Sequence, residues 1–388
     1  MSKRKKSKHS AILKRYNRQH FDKVENFTGF VVETAKQGEM VKVQTHGTLI
    51  SDDPLFYTYI DQISSIFLRN ILVNAIYQFL VIIHDNLTAD VYYNEIPIKI
   101  LMLSKRAFKK GEMVFNNDIA DIKELVFENI KISDTDKLIY CFKVGWKFGL
   151  FFDLHRENNP LNIKNIQLDI GAMYRYLSFQ YVYDIVDSEM NFETLVNDGW
   201  FPFIEILGSD FKEISEAYKN YPPLLERANR IIEKFDSERI NKISSKWWKN
   251  TIFAEKKMII ETALNAYAQD TSEGFITCIK IIVTELEGIL RFNLFNETGK
   301  GKDVHVRDLL NHILDKGKDK TGSEFSLFLP RYFLKYLETS VFAQFNIEAG
   351  GLSLSRHTSS HGVAKPEDYT KCRALQMILI LDQIYFYI

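Results

Sequence analysis

The amino-acid sequence predicts an α+β protein, with a mixed α+β domain followed by an all-α helical bundle. Three observations carry that prediction. Short runs in the N-terminal half are rich in β-branched and aromatic residues or alternate apolar with polar, as half-buried strands do. From about residue 168 those runs stop, and apolar residues recur at three- and four-residue spacing, the stripe of an amphipathic helix. At 388 residues the chain is too long for one ordinary core and fits two domains.

In chain order, MSKRKKSKHSAILKRYNRQHFDK carries nearly all its charge as Lys and Arg. Residues 1–25 therefore read as a flexible, solvated tail that also suits polyanions without reading sequence. FTGFVVETA and MVKVQTHGTLI read as strands. DPLFYTYIDQISSIFLRNILVNAIYQFLVII has helical spacing and predicts one long helix. ADVYYNEIPIKILMLS, KGEMVF and LIYCFKVGWKFGLFFDL return to strand composition, which closes the β-bearing part of a domain spanning 26–215. GAMYRYLSFQYVYDIV, NFETLVNDGW and FPFIEILGSDFKEISEAY predict its helices.

The Pro222-Pro223 pair opens a helical domain over 216–388, because Pro is tolerated in a first helical turn and LLERANRIIEKFDSERI follows. AEKKMIIETALNAYAQ, EGFITCIKIIVTELEGILRFNLF, VHVRDLLNHIL and FSLFLPRYFLKYLETSVFAQF each carry a helical apolar stripe. After the polar stretch NIEAGGLSLSRHTSSHGVAK, Pro366, Glu367 and Asp368 predict the start of a last helix through LQMILILDQIYFYI, acids there suiting the helix dipole.

Whole-chain properties exclude several classes. Fifty acidic and fifty basic residues balance, so net charge names no partner. Cys141, Cys278 and Cys372 are far apart and form no CxxC pair, which argues against a disulfide framework or a zinc site and fits a reducing cytoplasm. No apolar core follows the N-terminal charges, and Asn74 and Gln78 interrupt the longest apolar run, so neither a secretory signal nor a membrane span is expected. No Gly-rich phosphate loop or nucleophile elbow stands in the N-terminal half.

Arg356 and His361, with His357 between them, crowd hydrogen-bonding chemistry into RHTSSHG just before the apolar last helix. Spacing alone decides little, because Arg4 and His9, Arg15 and His20, and Arg307 and His312 share it. Context separates them. Gly350, Gly351 and Gly362 flank RHTSSHG and let the backbone bend to aim both side chains at one point. The capped helix behind it offers unpaired N–H groups that favour a phosphate.

Arg356-His357-Thr358-Ser359-Ser360-His361-Gly362, followed after a short polar stretch by YTKCRALQMILILDQIYF, resembles the end of a HEPN domain. The family's hallmark is an arginine, usually then Asn, Asp or His, then a few residues and a histidine commonly followed by Gly. The resemblance covers roughly 250–388 and is most specific over 352–385. It implies a HEPN-like helical bundle that forms a homodimer with two motifs facing across the interface. It also implies a metal-independent endoribonuclease needing no cofactor, acting in the cytoplasm as a toxin or an abortive-infection effector in phage defence. The N-terminal domain would then sense a phage or cellular trigger.

The chemistry fits the residue types. RNA carries its own nucleophile in the 2′-hydroxyl, so cleavage needs proton transfer and charge stabilisation. His361 is assigned as general acid or base, because imidazole titrates near neutrality. Arg356 is assigned to clamp the phosphate through its forked guanidinium, and His357 to orient or protonate. The products expected are a 2′,3′-cyclic phosphate and a 5′-hydroxyl. The rival reading is a non-catalytic HEPN-like module that binds RNA or nucleotide, or only dimerises.

Other candidates carry a structural reading beside the functional one. Ser359 and Ser360 either touch RNA phosphate or satisfy local backbone. Glu285 and Glu287 either approach the motif or lie on a solvated helix face. In KWWKN, Trp247 and Trp248 either stack on bases or pack in the core, the latter being favoured. Asp153, His155 and Arg156 suggest a nuclease cluster or, equally, the charged end of a β-hairpin. His9 and His20 are assigned no site.

Overall fold

The computed structural model describes residues 17–69, 75–220, 224–343, 358 and 364–388, with the backbone alone at 220 and 224–228. The contacts divide the chain into two units, Met1–Leu101 with Glu124–Ser178, and Met102–Lys123 with Phe179–Ile388. The sequence reading draws its boundary at 215/216, whereas in the structure the helices from Phe179 onward already belong with the second unit.

The first unit is built on a six-stranded antiparallel sheet. Its strands are β1 (Arg18–Phe21), β4 (His46–Ile50), β5 (Gln78–Ile83), β6 (Ala89–Tyr93), β9 (Lys137–Val144) and β10 (Lys147–Asp153), in the order β1-β6-β5-β9-β10-β4. Short strands β2 (Phe30–Val31) and β3 (Val43–Gln44) pair with each other, as do β7 (Ile98–Ser104) and β8 (Ile119–Phe127). Strands β7 and β8 each run from one unit into the other.

Both faces of the sheet are covered. Helix α1 (Pro54–Phe67) buries Phe56, Tyr59, Ile63 and Phe67, the i, i+3, i+7, i+11 set, against Phe79, Val81, Ile139, Cys141 and Phe152. Helix α2 (Ile163–Ser178) buries Ile166, Ile170, Met173 and Leu177 against Leu80, Ile82, Tyr140 and Phe151. Successive residues of β5 therefore alternate between two cores, and both are apolar. That is why QFLVII shows no polar alternation, and why it reads as the continuation of a helix that in fact stops at Phe67. Asp53 caps α1 by accepting the Leu55 amide at 2.8 Å, and Pro54 occupies its first turn.

The basic tail also needs correction. Residues 1–16 lie outside the described residues, but Arg18–Phe21 form an edge strand. The Arg18 guanidinium forks onto Asp90 at 2.7 Å, His20 Nδ1 lies 2.8 Å from the same carboxylate, and Phe21 meets the Phe67 ring edge-on. KGEMVF is a turn leading to a 3-10 turn, Asn116–Asp118, rather than a strand, and the strand β8 behind it is a segment that sequence analysis passes over.

His84 directly follows the end of β5, partly buried, with both ring nitrogens facing carboxylates. Nδ1 is 2.8 Å from Asp136 and Nε2 is 3.4 Å from Asp90. Only the imidazolium can donate to both. Burial alone would lower the pKa of His84, but the hydrogen bonds and charges of Asp136 and Asp90 outweigh it and raise it. A raised folded-state pKa gives stability that is complete below about pH 6.5, the unfolded value, and is lost as pH climbs through the folded one. The stability difference between the parent and His84→Gln, measured by urea denaturation, should therefore shrink as pH rises from about 6 to 9. A constant difference would mean that the ring is held by shape and not by charge.

The second unit is helical apart from the ends of β7 and β8. It contains α3 (Gln180–Val186), α4 (Glu189–Asn197), α5 (Ser209–Asn220), α6 (Leu224–Glu233) and α7 (Ser237–Ser245). These are followed by α8 (Thr251–Glu255), α9 (Lys257–Ala268), α10 (Ser272–Thr298), α11 (Val306–Thr321), α12 (Pro330–Tyr336) and α13 (Lys371–Tyr387). LLERANRIIEKFDSERI is two helices, because Asp236 turns its side chain to the Arg239 amide at 2.8 Å and starts α7. FPFIEILGS holds only a 3-10 turn, Ile204–Ile206, before α5. Among the described residues no helix is long and apolar enough to cross a membrane.

Helix α13 is the axis of this unit. It is buried on every side, with Ala374, Ile378, Leu381 and Ile384 all fully enclosed, as befits a helix that is hydrophobic all round. Against it, α11 presents Gly317, where an added Cβ would lie 2.3 Å from Cε1 of Tyr387. Tyr387 is fully buried and its hydroxyl donates to the Phe328 carbonyl, so the ring has no room to swing away. Overpacking costs about 1–3 kcal/mol, against about 0.5–1 kcal/mol gained by Ala over Gly in a helix. Gly317→Ala is therefore expected to lower the thermal midpoint; a raised midpoint would show that α11 and α13 can separate at little cost.

Candidate functional site

Arg356, His357 and His361 lie outside the described residues, as do Ser359 and Ser360. Thr358 is the described member of the motif. It is 1% exposed, and its carbonyl accepts the Ala364 amide at 3.2 Å. The described frame on either side belongs to the second unit. Upstream, α12 widens into a π-helical turn, Leu337–Val341. Downstream, Pro366–Asp368 form a 3-10 turn and α13 begins after it.

That start differs from the expected one. Asp368 accepts the Lys365 amide at 2.8 Å and so closes the 3-10 turn, while Thr370 caps α13 by accepting the Arg373 amide at 3.2 Å. The acids of PED terminate the approach to the helix and lie outside its first turn.

Three polar side chains on α13 are buried, and each is matched. Gln376 Nε2 donates to the Asp198 carbonyl at 3.0 Å, and Gln383 Oε1 accepts the Ile204 amide at 2.8 Å. Asp382 accepts from Trp247 Nε1 at 2.7 Å and from Lys246 Nζ at 2.8 Å. Burial pushes the Asp382 carboxyl up to about 6, against the pull of Lys246. Each of these bonds ties α13 to a different surrounding segment and fixes the helix in rotation and register. Unmatched, each would cost about 1–3 kcal/mol.

The KWWKN segment therefore serves the core through Trp247, which is fully buried, as the packing alternative held. The solvated-face reading of Glu285 and Glu287 does not hold. Glu287 is buried and pairs with Arg291 at 2.7 Å, and Glu285 is paired with Lys256. Asp153, His155 and Arg156 divide as the hairpin reading describes. Arg156 binds the Asp153 carboxylate at 2.9 Å and its carbonyl at 3.0 Å, while His155 is exposed.

Burial disfavours the thiolate of each cysteine. Burial pushes Cys372 up to about 11 and Cys278 to about 12, and raises Cys141 further. Among the described residues no group of three or more His, Cys, Asp or Glu is placed to hold a metal ion.

Two clusters escape the sequence reading, the Asp90–His84–Asp136 array and the Lys246–Asp382–Trp247 knot. The second left a signal, since Asp382 is the one acid in the apolar run LQMILILDQIYFYI. Compared with known proteins, the chain matches no family model, no curated protein and no solved structure.

Proposed function

We propose that this protein is a metal-independent endoribonuclease of HEPN type, a homodimer that cleaves RNA as a phage-defence or toxin effector. The observation that carries the reading is the Arg356-His357…His361-Gly362 sequence, set between the π-helical turn and the buried helix α13 of a helical unit. His361 takes and returns the protons, Arg356 holds the phosphate, and His357 orients or protonates.

The other Arg-x4-His pair that falls within the described residues, and the described histidine of a second, have other partners. Arg307 reaches Glu338 at 3.9 Å and His312 reaches Glu297 at 3.3 Å, so the two point to different partners from one helix. His20 is held by Asp90 at 2.8 Å. Phe292 and Phe295, half exposed on α10, supply apolar surface suited to dimerisation.

The test is incubation of the purified protein with total cellular RNA in EDTA, followed by end-group analysis. Fragments bearing 2′,3′-cyclic phosphate and 5′-hydroxyl ends, formed without added metal, support the nuclease. Intact RNA under every trigger tried, together with retained RNA binding, would favour the non-catalytic module.

A further inference from the structure

In the second unit, the 102–123 excursion, the turn Ile204–Ile206 and helix α7 enclose a polar cleft of about 800 Å³. It lies within the range of about 300–1,000 Å³ typical of small-ligand sites. We propose that this cleft binds a small anion carrying two or more linked phosphates.

Seven Lys and Arg line the cleft against five Asp and Glu. Four of the five acids are already engaged. Asp118 is held by Arg106 at 2.7 Å, and Asp210 by Lys234 at 2.9 Å and Arg239 at 3.0 Å. Glu205 lies 3.5 Å from Lys246 and 3.8 Å from Arg239, and Asp236 is spent capping α7.

Among the described residues, Lys105, Lys242 and Lys249 have no carboxylate partner, against Glu238 alone on the acidic side. Three acids outside the lining, Glu112, Glu213 and Asp382, also pair with Arg106, Lys234 and Lys246, so the positive charge left without an ion pair in the cleft is that of Lys105, Lys242 and Lys249.

Lys105 is the informative member. Its ammonium donates to the Leu207 carbonyl at 2.7 Å and the Glu205 carbonyl at 3.4 Å, which uses two of three donors on neutral groups, while the Glu205 and Asp382 carboxylates act on it only through their charge and form no ion pair with it. Burial pulls its pKa down to about 8, so the folded protein holds a desolvated cation there at a cost. A phosphate chain relieves that cost, and the exposed Lys242 and Lys249 on the same cleft meet its further charges.

The lining decides against RNA. It includes no aromatic side chain on which a base could stack, and stacking platforms are how single strands are held. Recognition here is of phosphate, whether the chain is inorganic or belongs to a nucleotide.

The experiment is isothermal titration of the full-length protein, at low salt, with inorganic triphosphate, ATP, orthophosphate and a short single-stranded RNA. The parent protein is compared with a Lys242→Gln/Lys249→Gln double variant, whose side chains are exposed and without ion pairs, and with Lys105→Gln. Triphosphate or ATP should bind far more tightly than orthophosphate, and the double variant should lose at least about ten-fold. Equal binding of triphosphate and ATP identifies the phosphate chain as the whole ligand, whereas ATP alone identifies a nucleotide. The proposal is overturned if neither binds, if the double variant binds as the parent does, or if the RNA binds more tightly and loses affinity in the same variant. None of these readouts depends on cleavage, so the proposal stands or falls apart from the nuclease reading.

Discussion

His361→Ala should slow RNA cleavage by about 10² to 10⁴, the usual contribution of a positioned proton-transfer group. On the proposed reading the nucleophile is the substrate's own 2′-hydroxyl, so the protein would have to take one proton from it and give one to the 5′-oxygen that leaves. An imidazole near its ordinary pKa can do either at neutral pH. Arg356→Lys tests the second role, because an ammonium keeps the charge but loses the planar fork that spans two phosphate oxygens. Its loss should be about 10² or more if the fork stabilises the transition state. Arg307→Ala is the control. It removes an arginine that has the same spacing to a histidine, with its own side chain 78% exposed and, among the described residues, reaching Glu338. Cleavage by all three variants at the parental rate would remove RHTSSHG from the chemistry altogether.

How far the fold could be read from sequence depended on whether an element met one environment or two. Helix α1 packs one stripe against one core, and the spacing of Phe56, Tyr59, Ile63 and Phe67 shows it plainly. Strand β5 packs both faces, so Phe79 and Leu80 are equally buried and the period-two signal vanishes. Arg18–Phe21 failed for the opposite reason, since an edge strand whose polar side chains are paired by a distant Asp90 looks like tail. Turns followed caps that only geometry assigns, as when Asp236 split one predicted helix into two. Buried polar knots were least readable, because the partners of Asp382 stand more than a hundred residues away and no local period links them. The candidate motif had the reverse character. Its residue types and order are local and plain in the sequence, while the convergence of Arg356 and His361 that catalysis requires is a tertiary property.

Asp382→Ala should destabilise the protein by about 3–5 kcal/mol, the range for removing one partner from a buried ion pair. The carboxylate is 1% exposed and is the shared acceptor for Lys246 and Trp247, both anchored in the segment that precedes α8. Without it, the buried indole N–H has no acceptor, which alone costs about 1–3 kcal/mol. Among the described carboxylates Lys246 keeps Glu205, at 3.5 Å, and its ammonium still lies over the Phe386 ring. Asp382→Asn separates the two losses, because the amide oxygen still accepts from Trp247 Nε1 while the charge is gone. Burial already opposes ionisation at this position, so removing the charge also removes a desolvation cost, and the Asn variant should lose less than half as much as the Ala variant. Urea midpoints of the two proteins, read by tryptophan fluorescence, measure both. A loss within about 0.5 kcal/mol for the Ala variant, the size of an ordinary surface substitution, would show that α13 is held by its apolar faces alone. A loss as large for Asn as for Ala would place the stabilisation in the charge, and Lys246 rather than Trp247 would then be the residue that ties the central helix to its shell.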